Sequence, residues 1–432
     1  MSEFINNREY RQKRLKELIK ELHDGASVAD VKAAFAELTD GISAVEIAEI
    51  EQALVNEGMP VEEIQRLCDV HAEIFKGSIE DIHKCDVCNV PDFEEGHPVD
   101  TFKKENRAIE KLLDEIEVYL DAYTSYPESE QLNNLKMRLK KISTIDKHYK
   151  RKENLIFPYM EKYNITAPPK VMWGVDDEIR TSIKETLSFL NEEKPNVSIV
   201  ESKVKEMMTK IRDMIFKEEE IMFPMVLETF SEQEWIEIEK SSAEIGYTLL
   251  DAVKRWRQAT VVKETIDREN PTEWITSSQP VPENAPDIII NRIQRDSNTV
   301  IPFDAGSMTA KEVNAVLNTV PIDMTFVGAD SKVKYFTQGK ERVFDRPLTI
   351  IGREVKNCHP PKSVHIVEKI IEDLKSGKKD NEDFWIKMGP NFVYIRYFAV
   401  RSKEGEFLGV LEVTQNIKPI MELEGEKRLI EN

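Results

Sequence analysis

The spacing of apolar and polar residues changes three times along the chain. From Arg8 to about Ile82 apolar positions recur at helical spacing in short stretches, with capping-box starts at Ser27/Asp30 and Ser43/Glu46 and with Gly25, Gly41 and Gly58 as punctuation. This predicts four or five short helices. The stretch CDVCNVPDFEEGHP, Cys85 to Pro98, has two prolines and no apolar period, and reads as a linker. Long helical patterns follow at about 97–124, 130–162, 171–193 and 198–229, separated by the turn-rich pieces TSYPES, NITAPPK and NEEKPN. Connections this short make neighbouring helices antiparallel, so the four predict an up-down bundle. Ser231 and Glu234 form another capping box, which predicts an extra helix to about Trp256.

From Thr260 to Ala305 the chain turns polar and Pro-rich, which predicts a linker with one strand at Ile288–Ile290. Beyond it, runs rich in Val, Ile, Phe and Tyr lie at Met324–Val327, Val333–Phe336, Phe384–Met388, Phe392–Val400 and Phe407–Thr414, interrupted by one helix from Ser363 to Ser376. An α+β domain with an antiparallel sheet follows, its last three strands a meander. The fold class is therefore multidomain: a small helical domain at 1–88, a four-helix bundle plus extra helix at 95–257, a linker at 258–308 and an α+β domain at 309–420. A length of 432 residues agrees, since roughly 150 residues per domain gives about three.

Charge narrows the function classes. The chain carries 60 basic and 80 acidic residues, net −20, which opposes phosphate and disfavours nucleic acid as a partner. No apolar run approaches the roughly 20 residues that a bilayer demands. The first residues, MSEFINNREYRQKRLKELIK, are charged throughout and lack the apolar region of a secretory signal, so a cytoplasmic protein with its four cysteines reduced is expected. Those cysteines are ligand or redox candidates.

Three constellations could carry chemistry. Within the bundle, ENLIFP at 153–158 recurs as EEIMFP at 219–224, an offset of 66 residues that suggests two related helix pairs. Pro158 and Pro224 should kink or loosen the last turn of each. The bundle has only His97 and His148 but many carboxylates at helical spacing: Asp100, Glu105, Glu153, Asp176, Asp177, Glu218 and Glu219. They are either the solvated face of an acidic protein or ligands of a carboxylate-rich metal centre. Four residues after His148 stands Lys152, with the carboxylate one further on at Glu153. Second, Cys68-x2-His71 and Cys85-x2-Cys88 have the spacing of a tetrahedral zinc site; alternatively Cys68 and His71 act with ligands from another domain, or pack in a core. Third, Asn357-Cys358-His359-Pro360-Pro361 places Cys358 and His359 on a proline-fixed loop, either as a haem-iron ligand or as the entry to the helix at Ser363. A phosphate-cradling loop, a nucleophile elbow and a kinase catalytic segment are absent, so an enzyme is not expected.

The segment from about 95 to 235 resembles a haemerythrin-type HHE cation-binding domain, whose signature is a His, two acids and then Leu-Phe-Pro. His148-Tyr-Lys-Arg-Lys-Glu153-Asn-Leu-Ile-Phe157-Pro158 fits one copy with Lys152 where the first acid belongs. Met214 through Glu218-Glu219-Glu220-Ile-Met-Phe223-Pro224 fits the other with Met214 in the histidine position. Asp176-Asp177-Glu178-Ile179-Arg180 is similar to the family's His-x-x-x-Arg motif with Asp176 for His. The resemblance implies a non-haem iron site to which at most His97 or Asp100, His148, Asp176 and Glu218 carry over, with Glu153 and Glu219 beside them. It also implies weaker iron binding than a histidine-rich relative.

Residues 15–80, with LCDVHAEIFKGSI, resemble the helical domain of unknown function often found before haemerythrin-like and PAS domains, and 312–418, with IGREVKNCHPPKSV and IRYFAVRSKEGEFLGVLEVTQNI, resembles a PAS domain. The composite implies a sensor or regulator in which bundle and PAS domain detect a redox-active ligand or cofactor (oxygen, nitric oxide, iron or haem) and report it to a protein partner, with homodimerisation through PAS. An iron- or haem-handling or repair protein is the alternative, and a di-iron oxygen or nitric oxide reductase the third reading.

Overall fold

The computed structural model describes residues 94–256, 300–344 and 346–426, with a few positions between 13 and 53. The expected helices of 8–82, the strand at Ile288–Ile290, and Cys68, His71, Cys85 and Cys88 lie outside the described residues. The chain divides into two compact units, one within 1–256 joined by 346–368, the other within 257–345 and 369–432.

In the first unit α1 spans Pro98–Ser125; His97 caps it, accepting from the Val99 amide, and Pro98 occupies the first helical position, where no N–H is missed. Its stripe of Val99, Phe102, Ile109, Leu112, Leu113, Ile116 and Leu120 is buried, as a 3.6-residue period requires. The second arm is α2 (Ser129–Ile142), a 3₁₀ turn, α3 (Asp146–Arg151), a π turn at Lys152–Ile156 and α4 (Phe157–Lys162). The third arm is α5 (Ala167–Leu190), which starts before the expected 171 because Pro168 and Pro169 sit within its first turn, where proline is tolerated. The fourth is α6 (Val197–Lys217), capped by Asn196, a π turn at Glu218–Met222 and α7 (Phe223–Thr229). The expected four-helix bundle is therefore present.

Both Phe-Pro copies are preceded by a π turn. In the first, Phe157 donates its N–H to Lys152 O, one residue wider than an α-helix, and Pro158 has no N–H to give. The extra helix α8, Glu232–Ile245, has the predicted Ser231/Glu234 capping box but stops well before Trp256. Gly246 takes φ +87°, a conformation open to glycine, and turns the chain so that the Thr248 amide reaches the interior of the bundle.

The second unit carries a five-stranded antiparallel sheet in the order β4-β3-β7-β6-β5, with β3 Asp323–Gly328, β4 Val333–Phe336, β5 Asn381–Met388, β6 Asn391–Arg401 and β7 Phe407–Asn416. The last three strands form the predicted meander. Gly409 is obligatory in β7, because a Cβ there would lie 2.1 Å from Val327 O on β3. A short hairpin, β1 (Val300–Phe303) with β2 (Gly306–Thr309), precedes α9 (Ala310–Thr319). The periodicity did not foretell that hairpin, since β1 is exposed at all four positions. The interrupting helix, α10, spans Pro361–Lys375. No helix among the described residues is long and apolar enough to cross a membrane.

Candidate functional site

All four arms of the bundle deliver a charged side chain to one buried point. Glu105 comes from α1, His148 and Arg151 from α3, Lys152 from the first π turn, Asp176 from α5 and Glu218 from the second π turn, and each is at most 1% exposed. Glu105 is saturated with donors: Oε2 accepts from His148 Nδ1 (2.8 Å) and Arg151 Nη2 (2.6 Å), Oε1 from Arg151 Nη1 (3.1 Å) and the Thr248 amide (2.7 Å). His148 Nε2 faces Glu218 Oε2 at 3.0 Å, and Asn106 Nδ2 donates to the same oxygen at 3.2 Å. Lys152 Nζ lies 2.6 Å from Glu218 Oε1 and 2.8 Å from Asp176 Oδ1.

Both ring nitrogens of His148 therefore meet carboxylate oxygens, so the imidazole serves best as a double donor, an imidazolium. Burial alone would push its pKa down, but Glu218 and Glu105 raise it above the ordinary histidine value. Burial likewise opposes the Lys152 ammonium, and Asp176 and Glu218 outweigh it, holding the lysine above its usual range. Glu218 is held at about 2 by Lys152 and His148 against its own burial, whereas burial carries Asp176 up to about 6 despite Lys152. Among the described residues Asp176 Oδ2 has no hydrogen-bond partner, which fits its weaker hold on a negative charge.

The sequence candidates separate into distinct neighbourhoods. His148, Asp176 and Glu218 come together. Glu153 turns to Arg180, whose Nη1 and Nη2 donate to it at 2.8 and 3.0 Å, and burial pushes its carboxyl up to about 8 in spite of that cation. Glu219 pairs with Arg107 and accepts from Asn106 Nδ2 at 3.1 Å. His97 packs its ring against Trp235 and Trp256 at the start of α1, where Asp100 accepts from the Gly96 amide and pairs with Lys104. Glu105, one of the carboxylates at helical spacing, interrupts the apolar stripe of α1 and so announced a buried acid, whereas Arg151 was not singled out.

This donor set does not suit a metal cation. Lys152 occupies the space between Asp176 and Glu218, Met214 is buried where a second imidazole would be needed, and among the described residues no three His, Cys, Asp or Glu side chains are arranged as a metal cage. Cys358 donates its thiol to Glu354 O at 3.7 Å. His359 Nδ1 bonds Val355 O at 2.8 Å, which fixes the proton on Nδ1. Its ring lines a cavity of about 170 Å³ with Trp173, Lys170 and Glu161.

Segment 346–368 meets the bundle at the first π turn. With the Phe157 amide drawn to Lys152 O and no N–H on Pro158, the carbonyls of Glu153 and Asn154 are short of helical donors. Arg353 Nη1 reaches Glu153 O at 3.4 Å and Thr349 Oγ1 donates to Asn154 O at 2.5 Å. The Arg353 guanidinium also clasps Glu161 at 2.8 and 2.7 Å; burial opposes its charge, and the Glu161 contact outweighs that and raises its pKa.

Comparison with known proteins matches residues 15–81 to the family of unknown function DUF438, 97–226 to the Hemerythrin HHE cation binding domain and 313–418 to a PAS domain. Among solved structures, the C-terminal domain of a Streptococcus mutans protein is 39% identical, with 30% of this chain and 100% of that one covered and a TM-score of 0.29. A PAS domain from Colwellia psychrerythraea is 14% identical over 26% of this chain and 98% of that one, TM-score 0.21. A sensory box sensor histidine kinase from Vibrio cholerae is 11% identical over 24% and 90%, TM-score 0.19. None of the curated proteins matches.

Proposed function

Since the chain belongs to the composite proteins in which a DUF438 domain, a hemerythrin HHE domain and a PAS domain follow one another, we propose that it is a sensory or regulatory protein whose bundle is a responding element built on ion pairs. One observation carries the reading: residues 346–368, internal to the PAS-matched sequence, fold with the bundle and grip it through Arg353. A shift at the π turn moves Glu153 O and Asn154 O, and with them the acceptors of Arg353 and Thr349. A ligand acts on such an element only through unequal affinity for its two states. The small redox-active ligand expected of the composite is assigned to the PAS domain, because the bundle's interior is filled by its own charged side chains.

Hydrogen exchange on the full chain tests the reading with Arg353→Gln. Faster exchange is expected at 346–358, at the π turn 152–156 and in the PAS strands together. Acceleration confined to 346–358 would make the segment a packing contact and end the proposal. An anaerobic optical spectrum of the purified chain checks the ligand assignment, with absorption expected from a PAS-bound chromophore.

A further inference from the structure

We propose that the bundle's cation site is filled from within, the Lys152 ammonium standing where the fold otherwise takes a metal. Three observations converge on this. The 66-residue offset between the two Phe-Pro copies makes Lys152 the counterpart of Glu218, and the counterparts touch at 2.6 Å in the centre of the bundle. A position that holds an acid in one copy holds a cation in the other, and the two neutralise each other. The cluster as a whole is balanced as well: His148, Arg151 and Lys152 give three positive charges, and Glu105, Asp176 and Glu218 give three negative ones. A dication entering a neutral, buried cluster has no charge to compensate it and meets an ammonium already bonded to two of its donors. Finally, the donors are spent: Glu105 accepts four hydrogen bonds, and Glu218 accepts on both oxygens.

Removing the ammonium should then recreate a cation site. In Lys152→Ala the cluster holds one net negative charge, and Asp176 and Glu218 lose their common donor beside the Glu153 carboxyl. Manganese(II) is the appropriate probe, because it favours carboxylate and imidazole over the thiolates of the N-terminal cysteines. Full-length wild type and Lys152→Ala are titrated with manganese(II), free metal being followed by electron paramagnetic resonance and stability by thermal melting. Lys152→Ala is expected to take up one equivalent more than wild type and to melt higher as metal is added, while the wild-type melting temperature stays constant. The charge-balanced Lys152→Met/Glu218→Met chain should take up no more than wild type. Equal uptake by wild type and Lys152→Ala overturns the proposal, and so does a wild-type site that Glu218→Gln abolishes. Should Lys152→Ala fold only with metal present, that outcome supports it, and the wild-type titration decides independently.

Discussion

The two Phe-Pro copies, 148–158 and 214–224, share a sequence frame and a backbone and differ in their chemistry. Each ends an α-helix in a five-residue π turn, and each follows it with Phe-Pro at the start of a short helix. Position by position, His148 corresponds to Met214, Lys152 to Glu218 and Glu153 to Glu219. The first copy puts a cation and an imidazole into the interior, while the second puts in a carboxylate and a thioether. Similar copies with equal charge would need an outside cation to meet in a buried centre, whereas copies of opposite charge need none. Backbone geometry therefore survives in both while the ligand requirement changes with two residues.

Breaking the central pair should have the largest effect. Lys152→Met leaves Asp176 and Glu218 without their shared donor, at a cost of about 3–5 kcal/mol. Lys152→Met/Glu218→Met restores two positive and two negative charges in the cluster, so its loss, read from urea unfolding, should fall short of the sum of the two singles by roughly 0.5–3 kcal/mol. Strict additivity would mean that the counterparts do not act as a pair.

The legible and illegible parts of this site separate by distance along the chain. Helical period and turn residues foretold the four arms, and the HHE-like pattern picked out His148, Asp176 and Glu218, which do converge. Lys152 was visible only as an interruption of that pattern, because spacing within one helix cannot say which acid on another helix it will meet. Arg151 and the Thr248 amide escaped for the same reason: their shared partner, Glu105, lies more than 40 residues away from either. The π turns could be suspected from Pro158 and Pro224, yet the partners of the carbonyls that the first one frees lie in segment 346–368, far along the chain. Nothing in the strand pattern of 309–420 assigns that segment to the bundle.

The second acids of the two copies sharpen the comparison at intermediate size. Glu153 is buried and binds Arg180, which also holds Asp146 and Asp177, so Glu153→Ala should cost about 1.5–3 kcal/mol. Glu219 meets an Arg107 that is 58% exposed, and Glu219→Ala should cost about 0–1 kcal/mol. Chemical unfolding of the two variants tests the asymmetry, and equal losses would place the copies in equivalent surroundings.

An effect of similarly small size lies where the two copies exit. Glu234 closes the capping box of α8 with Ser231, just beyond the second copy, and reaches back to Lys162 (2.8 Å) and the Tyr163 hydroxyl (3.0 Å), just beyond the first. Its burial would raise its pKa, but Lys162 and the Ser231 donors outweigh that and hold it below the usual carboxylate range. A carboxylate lowered on folding contributes stability that is present above the pKa of the unfolded chain and is lost as pH falls through the folded value. Glu234→Gln should therefore be less stable than wild type at neutral pH by about 0.5–1 kcal/mol, a size set by a partly exposed cap and ion pair. That difference should shrink as the pH drops below about 4.3, the ordinary glutamate value. Urea midpoints measured from pH 7 down to pH 3 give the comparison directly, and a difference that stays constant over that range would show that the Glu234 charge does not tie the two exits together.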